Sequence, residues 1–95
     1  MVNALVLIEC EIDRIQEAAR EIADLDGVSE VYSVAGEIDL VAIVRVRTHE
    51  ELQRVIPEGV ARVDGVARTE TLIAFQVFSR HDLEALFSVG FDGAE

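Results

Sequence analysis

Two strand–helix–strand units follow one another in this chain. That order, β-α-β-β-α-β, predicts an α+β fold: a ferredoxin-like αβ sandwich, with a four-stranded antiparallel sheet and two helices on one face. Three observations carry the prediction. Apolar residues alternate along the chain between period 2 and helical period. The segments "LDGVSEVY" from Leu25 and "VDGVARTE" from Val63 share one grammar: a last helical hydrophobe, an Asp-Gly stop, then a strand. A turn at Ala35-Gly36-Glu37 joins the two units as a hairpin.

Each element follows from its residues. "VNALVLIE" is β-branched and apolar, the first strand. In "CEIDRIQEAAREIADLDG" the residues Ile12, Ile15, Ala18, Ala19, Ile22 and Leu25 recur at helical spacing, with charge opposite. Asp13 and Gln16 there form a candidate capping box, and Gly27 a terminator. "VSEVYSVA" is the second strand and "IDLVAIVRV" the third. "THEE", Thr48 to Glu51, opens a second helix with Leu52, Val55 and Ile56 inward. Pro57 and Gly59 interrupt it, while Val60 and Val63 keep its apolar phase. "ARTETLIAFQVF" is the fourth strand. "SRHDLEALFSVG" has Ser79 as a possible N-cap and reads as a short C-terminal helix, with "FDGAE" a frayed end. The chain thus divides into a sandwich domain over 1–79 and a helix and tail over 80–95.

Length and composition bound the function. Ninety-five residues fit one small domain, and 51% hydrophobic residues supply a core. A net charge of −11 argues against nucleic acid and against an anionic membrane surface, both of which need clustered cations. Nothing approaches the ~20 apolar residues that span a bilayer. The start lacks the basic region of a signal peptide, and the lone Cys10 makes no internal disulfide, so a cytoplasmic location is the default.

Two helices cover only one face of such a sheet, and the wet face should then be polar. These strands are apolar on both. Leu5 and Leu7 oppose Val6 and Ile8, Val41 and Ile43 oppose Leu40, Ala42 and Val44, and Leu72 and Ala74 oppose Ile73 and Phe75. The expectation is a homodimer packed sheet to sheet. The alternative is that the segment from Ser79 folds over part of this face.

Catalytic and metal chemistry find little here. His49 and His81 read as exposed residues and Cys10 as a small packed one. There is no Ser-His-Asp spacing, CxxC, HExxH or Gly-rich phosphate loop, and Glu9 and Glu11 beside Cys10 lack further metal ligands. No catalytic residue, metal or cofactor is expected. What remains is "VAGEIDLVAIVRV", where Asp39 precedes an aliphatic run. Either Gly36 is a turn glycine and Asp39 bonds nearby backbone N–H groups, or the bare Gly36 backbone admits a small ligand whose ammonium group pairs with Asp39.

"DGVSEVYSVAGEIDLV" with its Gly-x-x-Asp, the helix opened by "THEEL", and "VDGVARTETLIAFQVF" together resemble the C-terminal domain of the Lrp/AsnC family. That domain is called RAM, for regulation of amino-acid metabolism. The resemblance runs from Val2 to about Phe78. Asp64 stands where the family usually has proline, Thr69 and Thr71 match its Thr-x-Thr pair, and Leu40 replaces a frequent aromatic residue. Pro57 and Gly59 depart from the pattern in what would be a pocket wall. The resemblance implies a dimer that assembles further into rings of dimers, with an amino-acid effector bound between dimers. Val34, Ala35, Gly36 and Asp39 would contribute to that site, and Thr69 and Thr71 after them. Family members typically carry an N-terminal helix-turn-helix domain. This chain starts at the first strand, so the resemblance implies a stand-alone module that senses an effector and joins full-length Lrp/AsnC regulators without touching DNA.

Two other functions share the fold. Small dimeric cofactor-free oxygenases and isomerases need a pocket lined by His, Tyr, Trp or Asn, and this sequence offers Tyr32 and no Trp. An ACT-like regulatory module binds amino acids at a different interface, but Gly-x-x-Asp on the central hairpin favours RAM.

Overall fold

The computed structural model describes residues 1–80. Strand β1 (Val2–Cys10) leads through a 3₁₀ turn (Ile12–Arg14) into helix α1 (Ile15–Ala23) and strand β2 (Val28–Ser33). Strand β3 (Leu40–Val46), helix α2 (His49–Val55), a second 3₁₀ turn (Val60–Arg62) and strand β4 (Val66–Ala74) repeat the pattern. The sheet is antiparallel in the order β2-β3-β1-β4, so the two most apolar strands are central. This is the expected ferredoxin-like αβ sandwich.

Period 2 builds one layer of the core and period 3.6 the other. Ala4, Val6 and Ile8 of β1 and Leu40, Ala42 and Val44 of β3 are wholly buried on one side of the sheet. Ala18 and Ile22, one turn apart on α1, and Val60 of the second 3₁₀ turn are buried against them, with Leu52 and Val55 of α2 at the margin. No described polar or charged residue is buried in that core.

The other side of the sheet is bare among the described residues. Leu5, Leu7, Val41 and Ile43 are half-buried there, shielded mainly by their strand neighbours, and Tyr32 and Leu72 are about half exposed at its edges. Asn3 belongs to this side, and its Oδ1 is shut off from water without a hydrogen-bond donor.

Both Asp-Gly pairs form the same turn into a strand, with Val28 N–H donating to Leu25 C=O at 3.2 Å and Val66 N–H to Val63 C=O at 3.1 Å. They do not end the helix as expected, for α1 stops at Ala23 with Asp24 as its cap, leaving Leu25 outside it. Gly27 and Gly65 have φ of 94° and 98°, a left-handed backbone that glycine adopts without a Cβ penalty. At "THEE" the box is real. Thr48 Oγ1 accepts from Glu51 N–H at 3.2 Å, and Glu51 Oε1 accepts from Arg47 N–H at 2.8 Å. Pro57 stops α2 as expected: Val55 is its last residue, and the 3₁₀ turn then returns Val60 to the core.

Four further expectations are corrected. Asp13 caps nothing, because α1 begins at Ile15 with Arg14 in the cap position and no side-chain bond. Ile12 faces water, 91% exposed. The cause is the exit from β1: Glu11 N–H binds Gly65 C=O at 2.8 Å and Arg14 N–H binds Glu11 C=O at 2.9 Å. That tight turn takes Ile12 off the helical phase. Strand β4 ends at Ala74 rather than Phe78, since Ala74 already pairs with Asn3 near the start of β1 and Phe75 has no strand beside it. Strands β2 and β3 are also shorter at the hairpin, ending at Ser33 and starting at Leu40. The helix expected over residues 79–90 lies, beyond residue 80, outside the described residues, as does His81.

Gly27 tests the close packing of this repeat. A Cβ there would come within 2.7 Å of Val55 Cγ2 and 3.0 Å of Val46 Cγ1. Gly27→Ala should destabilise the chain by roughly 2 kcal/mol or more in urea unfolding, from backbone strain plus overpacking. Gly36→Ala should cost less than half as much, because a Cβ at Gly36 meets no atom within 4 Å. Removing the α2 cap by Thr48→Ala should cost about 1 kcal/mol in the same measurement.

Candidate functional site

Asp39 sits where the hairpin enters β3, and three hydrogen bonds fix it there. Its backbone N–H donates to Ile8 C=O of β1 at 2.9 Å, and its own C=O accepts from Val34 N–H across the hairpin at 3.0 Å. One carboxylate oxygen, Oδ2, accepts from Cys10 N–H at 2.8 Å. The side chain thereby extends the β1–β3 ladder past its last residue pair, Ile8 with Leu40. This is the backbone-capping role that an Asp beside a turn can play. It leaves the second oxygen free, for Oδ1 accepts no hydrogen bond from any described residue. Asp39 is half-buried, so one half of the carboxylate is structural and the other has no hydrogen-bond partner among the described residues.

The loop in front of it is open. Val34, Ala35, Gly36 and Glu37 are exposed, and the space beside Gly36 Cα is empty. Backbone groups there can meet a ligand without moving a neighbour.

Thr69 and Thr71 stand elsewhere. Thr69 pairs with Ile8 and Thr71 with Val6, two strands from β3 across β1. At ~4.8 Å per strand they lie about 10 Å from the β3 backbone. They share the helix-side face with Ile8 and Val6, yet Thr71 is exposed because β4 is an edge strand beyond the helices' cover. One chain therefore brings Val34, Ala35, Gly36 and Asp39 together and leaves the threonines apart from them.

Three residues at this end of the sheet carry weight that the sequence reading did not assign. Arg68 Nη2 bonds Glu9 Oε2 at 2.7 Å across the β1–β4 pair. This hydrogen bond, then the charges of Glu9, Glu70 and Glu37, hold the guanidinium more firmly in its charged form. A cation thus stands at the same end of the sheet as the hairpin loop. Cys10 ends β1 next to these groups. Burial first, and then the Asp39 charge, push its thiol pKa up, which favours the less nucleophilic protonated form. The signal for Arg68 and Glu9 is only in the strand register, 59 residues apart, and no local motif contains it. Asp64 bonds Arg14 at 3.0 Å and so ties the second Asp-Gly turn to the start of α1 on the surface.

Among the described residues no three of His, Cys, Asp and Glu gather as they would around a metal ion, and no helix is long and apolar enough to cross a membrane. His49 is exposed at the first turn of α2.

Comparison with known proteins supplies the context of this loop. The Lrp/AsnC ligand binding domain model matches residues 3–83. An uncharacterized HTH-type transcriptional regulator of Pyrococcus furiosus is 37% identical over 76 residues, which is 77% of this chain and 51% of that protein. Another, from Pyrococcus horikoshii, is 40% identical over 60 residues, 63% of this chain and 40% of its own length. The chain thus spans about half the length of the curated relatives it matches. Among solved structures, the TTHA0845 protein of Thermus thermophilus superposes with a TM-score of 0.79 at 48% identity, over 84% of this chain and all of that one. AsnC of E. coli superposes at 0.77 and 27% identity, over 83% of this chain and 54% of its own. A feast or famine regulatory protein of M. tuberculosis complexed with L-methionine superposes at 0.70 and 26% identity, over 83% and 53%. With its fold, its hairpin loop and 81 consecutive positions inside the family pattern, this chain belongs to the Lrp/AsnC ligand binding domain family.

Proposed function

We propose that this chain is an effector-binding and assembly module of transcription regulation, taking a small amino acid at the Asp39 loop between sheet-paired dimers. The observation that carries the reading is the divided carboxylate of Asp39. Oδ2 is held by Cys10 N–H, and Oδ1 is unclaimed by any described residue at the edge of an open loop. A fixed, half-desolvated carboxylate is a good partner for an ammonium group. Exposed backbone N–H groups of the Ala35-Gly36 turn suit the effector's own carboxylate. The relative solved with L-methionine makes an amino acid the first candidate class.

The separation of Thr69 and Thr71 from Asp39 also supports a shared site. They join it only if a second chain brings its β4 edge toward the loop, as an assembly of dimers would. The dimer itself rests on the bare sheet face, whose half-buried Leu5, Leu7, Val41 and Ile43 a second copy would cover by two-fold symmetry. Asn3 Oδ1, shielded and unpartnered, awaits a donor on that face. Full-length regulators of the family present a related domain and are the natural partners for mixed assemblies in the cytoplasm. No catalytic step is assigned to the module, since the Cys10 thiol is held protonated and the relatives are regulators.

Two Asp39 variants separate the two halves of the carboxylate. Asp39→Asn keeps an acceptor for Cys10 N–H but removes the charge; it should unfold within about 1 kcal/mol of the parent. In calorimetric titration with the twenty amino acids, it should bind the preferred one at least tenfold more weakly. Asp39→Ala should lose binding as well and cost a further ~1–2 kcal/mol, for the orphaned N–H. Absence of amino-acid binding to the parent chain, or equal binding by Asp39→Asn, would contradict the site.

The interface is tested on the other side of the sheet. Leu7→Glu combined with Ile43→Glu places two charges on the face that a second copy would cover. Light scattering after gel filtration should show the particle mass falling to that of one chain. An unchanged oligomer would place the contact elsewhere.

A further inference from the structure

At the end of β3 remote from Asp39 the molecule has a cleft. It occupies about 530 Å³ between the α1–β2 turn, the end of β3 and α2. Leu25, Val46 and Val55 make its apolar walls, and Gly59 lies close by because a Cβ there would strike the Val55 carbonyl oxygen at 2.5 Å. Arg45, Arg47 and Arg54 also line it. Six residue steps along β3 and its lead-in separate Asp39 from Arg45, about 20 Å at ~3.3 Å per residue.

The charge of this cleft runs against that of the chain. Eight cationic side chains face nineteen carboxylates overall, yet three of the eight line one cleft with only Asp26 and Glu51 as acidic neighbours. Glu51 is already engaged, its Oε1 accepting from Arg47 N–H at 2.8 Å. None of the three arginines makes an ion pair with a described residue, whereas Arg14 and Arg68 both do. Arg45 alternates with Val44 and Val46 onto the bare face of the sheet, where its charge reaches Tyr32, and lines the cleft from the strand end. The like charges of Arg47 and Arg54 at one opening repel one another, and a bound anion relieves that repulsion.

We propose that this cleft is a second ligand site, for a small aliphatic carboxylate. The guanidinium fork matches a planar carboxylate in a bidentate way, and the walls of Leu25, Val46 and Val55 receive an alkyl body. The volume lies within the usual range for small-molecule pockets. The site takes an anion with no requirement for an ammonium group, so it differs in chemistry and in place from the Asp39 loop.

Calorimetric titration with octanoate, and separately with inorganic phosphate, tests this on the full chain at low ionic strength. Octanoate should bind saturably. Arg47→Gln with Arg54→Gln should weaken it at least tenfold. Arg20→Gln with Arg62→Gln, which makes the same change in net charge on exposed residues outside the cleft, should leave it within twofold. Asp39→Asn should also leave it unchanged, so that failure here and failure at the hairpin loop are read separately. The proposal is overturned by no saturable octanoate binding, by equal binding in the Arg47/Arg54 variant, which would put the alkyl chain on the bare sheet face, or by phosphate binding where octanoate does not.

Discussion

The rest of the structure depends on one constraint: a sheet whose central strands are apolar on both sides, with helices enough for only one. Val6, Ile8, Leu40, Ala42 and Val44 are wholly buried beneath the helices. Leu5, Leu7, Val41 and Ile43, their alternates on the same two strands, lack any such cover among the described residues. Period 2 makes these two sets inseparable. A strand cannot turn its second set inward without exposing the first. The described residues therefore cover one apolar face of the sheet, and association with a second copy would cover the other.

Function follows from what association would do to the sheet's edges and ends. The hairpin loop and the exposed threonines of β4 lie two strands apart, too far for one small ligand to touch both from a single chain. In the proposed assembly they would become neighbours across an interface. An effector held there would favour one assembly over another by its differential contacts alone, which is the only way a ligand can shift such an equilibrium. The Asp39 carboxylate is suited to this. Its hydrogen bond to Cys10 fixes its position before any ligand arrives, so little ordering remains to oppose binding.

The sequence exposed those features whose causes are local. The two Asp-Gly turns, the Thr48 cap and the break at Pro57 each rest on residues within one turn, and each is present, although the first Asp-Gly turn follows the end of α1 at Ala23 rather than making it. Asp13 and Ile12 depart from their expected places because a hydrogen bond from Glu11 to Gly65, 54 residues away in sequence, sets the exit from β1 and moves the helix start. The end of β4 depends on where its partner β1 begins, which composition does not encode. At the site the same division holds. Gly36 and Asp39 are three positions apart in the chain and visible as a motif. The Glu9–Arg68 pair and the arginine-lined cleft exist only through register and packing, and periodicity gives no sign of either.

The most direct measurement of the central claim is sedimentation velocity of the unmodified chain over a hundredfold range of micromolar concentrations. The account predicts a species of two chains, or an even multiple, persisting to the lowest concentration, with the share of larger species responding to the bound amino acid. A single chain as the only species throughout would contradict it, for the apolar face of the sheet would then be stable in water, and the site shared between chains would have no partner to complete it.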